Sequence, residues 1–358
     1  MPRPERDLSV IIVNHNGERL LGPCLASVFA SAPGLAIEVF VVDNASSDGS
    51  PALVRAGYPD VALIANGENL GFARANNLAL ARCSGRHALL LNSDTVVQGD
   101  ALTRMVRFMD AHPTMGGLGP RLLNPDGSVQ RSCLRFPTTL GGLRGFWRSA
   151  ALGEAKYIPA CAGEPACAGG PALAGGPALA GGPALAGEPA LAGEPALAGE
   201  YADVPAVSGA CLLLRGAALT QVGLLDPAYF MYAEEVDWCY RARRAGWAVA
   251  YWPGAEVVHL GGQTAARQPA RFYVERRKSR VRFLLRHRGP LAGWLNAALI
   301  GGVIAGRWLL RPGERPFFGD VWRRYGAALA ELAAQTRGAQ TRAAQTRGAE
   351  RPAARGRD

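Results

Sequence analysis

Three polar clusters stand where apolar runs stop. Asn14-His15-Asn16 follows Leu8–Val13, Asp43-Asn44-Ala45-Ser46-Ser47-Asp48-Gly49 follows Ile37–Val42, and Asn92-Ser93-Asp94 follows His87–Leu91. In an open α/β sheet, ligands bind beyond the carboxyl ends of the strands, so clusters in these places are positioned to meet one. Asp94 carries the sharpest expectation. A carboxylate at the tip of a buried strand is costly unless it is paired or binds a cation. Mg2+ and Mn2+ are held by one or two carboxylates together with phosphate oxygens. The plainer role for Asp94 is to cap the helix that follows. Asp43 can accept a hydrogen bond from the imide N–H of a pyrimidine base, or serve the turn that its run of Asn, Ser and Gly encodes. No Gly-x-Gly-x-x-Gly follows the first apolar run, which argues against a dinucleotide-dependent dehydrogenase.

Further polar groups lie downstream. Asn69-Leu70-Gly71-Phe72 opens a helical pattern, and its amides with Arg74 are candidates for phosphate, because helix N-termini attract anions. Glu234, Glu235 and Asp237 set three carboxylates within four positions. Like charges so close raise one another's pKa, which suits a general base, although acidic residues also simply stabilise helix N-termini. His259 ends the run Val257-Val258-His259, where it is either structural or a metal ligand.

The elements that must hold these groups alternate in type. Apolar runs at Leu8–Val13, Ile37–Val42, Val61–Ile64 and His87–Leu91 are separated by helical patterns, among them Phe72–Ala81 and Ala101–Ala111. That alternation means βαβ units and a mainly parallel sheet flanked by helices. Val207–Leu214 and Val249–Val258 read as later strands, the second interrupted near Pro253-Gly254, and Asn124-Pro125-Asp126-Gly127 reads as a tight turn between two short strands. From Pro159 to Glu200 the unit Pro-Ala-(Cys/Leu)-Ala-Gly-(Gly/Glu) recurs seven times. With Pro and Gly in every copy, it is expected to be a flexible insertion in a surface loop.

The 49% hydrophobic content excludes disorder of the whole chain. Seven scattered cysteines without a Cys-x-x-Cys pair point away from a disulfide framework and a zinc site and fit a reducing, cytoplasmic setting. The net charge is +10, yet residues 262–358 hold 20 of the 39 basic side chains and only 6 of the 29 acidic ones. The basicity therefore belongs to the C-terminal segment and points to an anionic surface there. Nothing in the chain matches a nucleic-acid-binding motif. Leu291–Gly306 is almost wholly apolar with arginines on both sides; it is short for a spanning helix, and reads either as a helix lying shallowly on a membrane or as one packed in a core.

The motifs in order resemble glycosyltransferase family 2, in particular its bacterial rhamnosyltransferase-like branch. They are Val10–Asn16, Val41–Ser50, Glu68–Asn77, Leu90–Thr95, Gly119–Ser128, Val207–Leu212, Phe230–Cys239 and Val257–Gly262. Each motif is weak alone; number and order make the match, which covers residues 8–290 apart from the repeat. The resemblance implies a GT-A fold and inverting transfer from a nucleotide-diphospho-sugar, a dTDP- or UDP-sugar, to a glycan or lipid-linked acceptor of the cell envelope. It implies nucleotide-sugar contacts from Val13, Asn14, Asp43, Asn44, Asn69, Gly71, Arg74, Asn92 and Ser93, and a sugar or acceptor pocket with Ser208, Gly209 and Glu234. Asp94 and His259 match metal-binding positions for Mg2+ or Mn2+, with Asn92 where many relatives carry a first Asp. The family's base is usually an Asp at the position of Glu235, so the base stays open between Glu235 and Asp237, and a nucleotide-sugar-binding protein with impaired turnover is the alternative. The expected organisation is a donor-binding part over 1–158, the repeat over 159–200, an acceptor-binding and catalytic part over 201–288, an apolar helical segment over 289–322 and a basic tail over 323–358. The protein is expected in the cytoplasm, at the inner face of the membrane.

Overall fold

The computed structural model describes residues 6–140, 201–261 and 268–349, with side chains to residue 338. The hexapeptide repeat, Cys161 and Cys167 lie outside the described residues. The chain divides into two units: one holds the residues up to Phe136 with 142–264, the other 137–141 with Ala265–Asp358.

The first unit is built on a sheet of order β3-β2-β1-β4-β11-β6-β12-β5. Strands β1 (Arg6–Asn14), β2 (Ile37–Asp43), β3 (Ala62–Ala65) and β4 (Gly85–Asn92) pair in parallel. The central residues of β1, β2 and β4 are mostly apolar and buried on both faces, while the edge strand β3 is only partly buried. Helix α1 (Glu18–Ala30) buries Leu21, Cys24, Leu25 and Val28, the i, i+3, i+4, i+7 stripe of an amphipathic helix. Helices α2 (Ser50–Gly57), α3 (Gly71–Leu80) and α4 (Ala101–Ala111) complete the alternation.

Beyond β4 the sheet is mixed. After β5 (Thr95–Val97), strand β6 (Met115–Leu123) turns at Asn124–Gly127 into the two-residue β7 (Val129–Gln130). The Gly127 N–H donates to the Asn124 carbonyl at φ +83°, as that turn demands. Short strands β8 (Cys133–Leu134), β9 (Ala202–Asp203) and β10 (Ala206–Val207) follow; β10 pairs with β8 apart from the main sheet. Strand β11 (Cys211–Arg215) runs antiparallel to both β4 and β6, so it starts where β4 ends, with Cys211 opposite Leu91. The single strand expected over Val207–Leu214 is thus two, broken at Ser208-Gly209-Ala210. Helices α5 (Gly216–Val222) and α6 (Glu234–Arg244) lead to β12 (Ala248–His259), parallel to β6 with a register shift between Trp252 and Glu256, at the interruption expected near Pro253-Gly254. These directions bring the ends of β1, β2, β4 and β12 and the start of β11 to one edge.

The second unit contains α7 (Pro269–His287), α8 (Pro290–Leu310) and α9 (Arg315–Ala349). Val274 and Val281 of α7, Ala297, Ile300 and Ile304 of α8, and Phe318, Val321, Tyr325, Ala328 and Leu332 of α9 share one core. Helix α7 thus shares a core with the helices that follow it, and residue 322 lies inside α9. The stripe Phe318, Val321, Tyr325, Ala328 and Leu332 precedes the Ala-Gln-Thr-Arg repeats, which begin at Ala334. Helix α8 is long and apolar enough to cross a membrane by length and composition. One face nevertheless lies in the helical core, while Leu291, Leu295 and Leu309 are exposed on the other. Among the described cysteines, Cys24, Cys83, Cys211 and Cys239 are free.

Candidate active site

Strand register explains why distant polar residues meet. Asn14 stands opposite Asp43, Val13 opposite both Val42 and Asn92, and Thr95 opposite His259. Asp43 is 2% exposed. Its Oδ1 accepts from Ser46 Oγ at 2.5 Å and from Asn14 Nδ2 at 3.2 Å, and its Oδ2 accepts from the Ser46 N–H at 2.9 Å. Ser46 also accepts from the Asn16 N–H at 2.8 Å, and so ties two strand ends together. Asn14 Oδ1 is buried without a partner, and Gly17 borders both it and Ser93 Oγ. A Cβ at residue 17 would overlap Asn14 Oδ1, so the glycine there makes the close approach possible.

Asn44 has a different position from the one expected of a ligand contact. It is 2% exposed, its Nδ2 donates to the Gly71 carbonyl at 3.0 Å, and its Oδ1 accepts from Asn66 Nδ2 at 2.9 Å. It links β2 to the start of α3. That helix start is itself occupied: the Gly71 N–H donates to Asn69 Oδ1 at 2.9 Å and the Phe72 N–H to the Phe230 carbonyl at 2.6 Å. Two amides considered for phosphate thus bond inside the domain, while Arg74 is exposed. Gly71 has φ +79°, and an added Cβ would overlap the Phe230 carbonyl oxygen.

Asp94 and His259 meet, with Asp94 Oδ1 3.3 Å from His259 Nε2; their side chains are 16% and 14% exposed. Asn92 Nδ2 lies 3.2 Å from the same nitrogen. The Leu260 N–H donates to the Asp94 carbonyl at 2.9 Å, which ties the two strand ends. Among the described residues no group of three or more His, Cys, Asp and Glu side chains converges. One carboxylate oxygen beside one imidazole nitrogen, both partly open, is a donor pair that fits Mg2+ or Mn2+ only when phosphate and water oxygens complete the shell.

The Asn92 N–H donates to the Ala210 carbonyl at 2.9 Å, which brings the Ser208-Gly209-Ala210 break beside this centre. The Ser208 N–H donates to the Ser132 carbonyl at 2.8 Å. A Cβ at Gly209 would lie 3.5 Å from Glu235 Cβ and 3.6 Å from Phe72 Cε1, so Glu235 borders the same turn. Before α6, Tyr232 and Ala233 adopt φ +69° and +67°. Left-handed backbone at non-glycine residues costs about 1–3 kcal/mol each and collects at functional sites. Glu234 is buried and Glu235 partly exposed. Asp237 is fully buried and paired, its Oδ2 accepting from Arg241 Nε at 2.8 Å. Arg241 also donates to the Val222 and Leu224 carbonyls. The pair locks α6 onto the segment before it.

Burial pushes the Cys24 thiol up to about 12 and Cys83 to about 11, so neither is a thiolate nucleophile. Sequence reasoning passed over Ser46 and Gln130. Ser46 was legible as the residue three beyond Asp43 in an Asx-type turn; Gln130 carried no local signal, because its partner His259 is 129 residues away.

Residues 9–149 match the model of "Glycosyl transferase family 2" and residues 192–282 that of "Glycosyltransferase like family 2". The chain is 30% identical over 314 residues to the N-acetylglucosaminyl-diphospho-decaprenol L-rhamnosyltransferase of Mycobacterium tuberculosis, covering 81% of this chain and 86% of that one. It is 25% identical to the low-salt glycan biosynthesis hexosyltransferase Agl10 of Haloferax volcanii, over 71% of this chain and 67% of the relative. Among solved structures, the mannosyltransferase PcManGT from Pyrobaculum calidifontis, in complex with GDP-Man and Mn2+, shares the fold at TM-score 0.50 and 18% identity, covering 95% of this chain and 83% of that one. GalNAc-T7 with UDP, GalNAc and Mn2+ shares it at TM-score 0.51 and 14% identity, covering 78% and 47%.

Proposed function

From the premise that the chain belongs to glycosyltransferase family 2, we propose that it moves a hexosyl group, rhamnose first among candidates, from a dTDP- or UDP-sugar to a hydroxyl of a lipid-linked or cell-envelope glycan, with inversion. The observation that carries this reading is the convergence of the Asp94–His259 pair and the Gly209–Glu235 contact at the sheet edge that also holds Asp43. Asp43 and Asn14 recognise the base, and Ser93 and Arg74 lie toward the diphosphate. Asp94 and His259 would hold Mg2+ or Mn2+, which when bound neutralises charge on the departing diphosphate. Glu235 takes the proton of the acceptor hydroxyl, whose oxygen then attacks the anomeric carbon opposite the leaving group. Glu235 rather than Asp237 fills this role, because Asp237 is committed to Arg241. Ser208, Gly209 and Glu234 border the sugar. A panel of nucleotide sugars with Mg2+ or Mn2+, led by dTDP-rhamnose and scored by acceptor-dependent release of nucleoside diphosphate, tests the reading. Binding without release across a broad acceptor panel would leave the impaired-turnover alternative.

The acceptor reading extends to the second unit. On α8, Leu291, Leu295 and Leu309 form an exposed apolar stripe, with Trp308 and Leu310 exposed on the same helix. Arg311, just past the end of the helix, is 56% exposed and bridges to Glu314. Apolar and aromatic side chains flanked by arginines suit a helix lying in the surface of an anionic membrane, here the cytoplasmic face. Sedimentation with phosphatidylglycerol vesicles but not phosphatidylcholine vesicles, weakened at least tenfold by Leu295→Glu with Leu309→Glu, is expected. Equal sedimentation of the variant would remove the membrane role and leave the transferase reading intact.

A further inference from the structure

A directional chain of hydrogen bonds ends on His259. It starts at the Asp126 carboxylate, whose Oδ1 accepts from Ser128 Oγ at 2.6 Å and from the Ser128 N–H at 2.9 Å. The Ser128 hydroxyl, having donated, accepts from Asn124 Nδ2 at 2.9 Å. Asn124 therefore turns its Oδ1 to Gln130, whose Nε2 donates to it at 2.9 Å and to the His259 carbonyl at 3.2 Å. Two oxygens that can only accept fix which end of the Gln130 amide is nitrogen. Gln130 Oε1 then lies 2.6 Å from His259 Nδ1, and an amide oxygen can only accept. Nδ1 consequently carries the proton. In the neutral ring the bare lone pair is on Nε2, the atom 3.2 Å from Asn92 Nδ2 and 3.3 Å from Asp94 Oδ1.

We propose that Gln130 is a positioning residue that fixes the His259 tautomer and ring orientation, so that Nε2 faces the cation beside Asp94; this rests on the metal reading above. The Asn124–Ser128 turn is then more than a connection between β6 and β7, since Asp126, Ser128 and Asn124 set the polarity of the Gln130 amide. Partners behind a metal-binding histidine commonly change metal affinity by roughly 10–100-fold when removed. Without Gln130, His259 can place its proton on Nε2 and turn a donor toward the ion.

Two measurements test this on the full chain. The first is the nitrogen spectrum of the His259 imidazole at alkaline pH, which should show a protonated Nδ1 and a bare Nε2 in the parent and a mixture in Gln130→Leu. The second is Mn2+ binding followed by electron paramagnetic resonance in the presence of UDP or dTDP. Gln130→Leu should bind the ion about 10–100-fold more weakly, with nucleotide affinity in EDTA unchanged. Ser128→Ala, which leaves the side chains at 124 and 130 in place, should lose several-fold and serves if the leucine variant does not fold. A parent protonated on Nε2, or Mn2+ affinity within twofold of the parent in both variants, overturns the proposal. A parent that binds no Mn2+ with nucleotide overturns the metal reading and the role of Gln130 with it, whereas a loss confined to the variants upholds both.

Discussion

Replacing Gly71 by alanine separates two costs that the structure assigns to one residue. Gly71 holds φ +79°, and its missing side chain leaves room for the Phe230 backbone; an added Cβ would overlap the carbonyl oxygen and lie 2.7 Å from Phe230 Cδ2. Left-handed backbone costs an L-residue roughly 1–2 kcal/mol. Displacing the Phe230 carbonyl also breaks its bond with the Phe72 N–H, and a buried unpaired amide costs about 1–3 kcal/mol. The sum is about 2–5 kcal/mol, reduced by any relaxation. Gly34, at φ +75° with nothing within 4 Å of an added Cβ, has the first cost alone, about 1–2 kcal/mol. Denaturant unfolding of Gly71→Ala and Gly34→Ala measures the difference. Activity should separate them further. Phe230 precedes the left-handed Tyr232 and Ala233 that deliver Glu235, and a misplacement of about 1 Å can cost on the order of 100-fold in rate. Equal stability loss in the two variants, with Gly71→Ala at full turnover, would refute the claim that this contact positions Glu235.

Asp237→Ala should destabilise by about 3–5 kcal/mol, because it strands the Arg241 guanidinium, whereas Glu235→Gln should keep the parent's unfolding midpoint and lose sugar transfer. Unfolding and transfer assays on both variants check this. His87 is 1% exposed, and burial, outweighing its hydrogen bond to Asp110, lowers its pKa below 6.5. The unfolded chain therefore binds the proton first, so stability present above about pH 6.5 falls as pH drops through that value. Unfolding midpoints from roughly pH 8 to 5 should show this slope, flattened in His87→Gln. Removing divalent ions with EDTA should abolish nucleoside diphosphate release, and Mn2+ or Mg2+ should restore it in the parent but far less in Asp94→Asn.

The left half of the sheet was legible because β1, β2 and β4 are continuous apolar runs closed by polar clusters, and helix α4 falls at the residues its periodicity marks. Strand β6 was not. It reads Met-Gly-Gly-Leu-Gly-Pro-Arg-Leu-Leu, and glycine and proline are poor strand formers. The glycines are there for space: a Cβ at Gly116 would lie 2.7 Å from Trp247 Cβ, and one at Gly119 2.8 Å from Val207 Cβ. The candidate site divides the same way. Asp43, Asp94 and His259 were visible as polar residues ending apolar strands. Asn44 looks like them in sequence, yet its amide serves the fold, because only tertiary contacts decide which strand-end amide faces inward. Gln130 acts through a partner that no local pattern names, whereas the Asp237–Arg241 pair has the i,i+4 spacing of one helix face.

The central claim is sugar transfer with Asp94 and His259 holding the ion and Glu235 removing the proton. Its most direct test is acceptor-dependent release of nucleoside diphosphate from dTDP-rhamnose and UDP-sugars with Mn2+, run beside nucleotide binding, for the parent, Asp94→Asn and Glu235→Gln. The account predicts release by the parent, retained nucleotide binding in both variants, and release reduced by at least 100-fold in each, the scale of a lost general base. Full release by Glu235→Gln, or release by Asp94→Asn equal to the parent's, would contradict it.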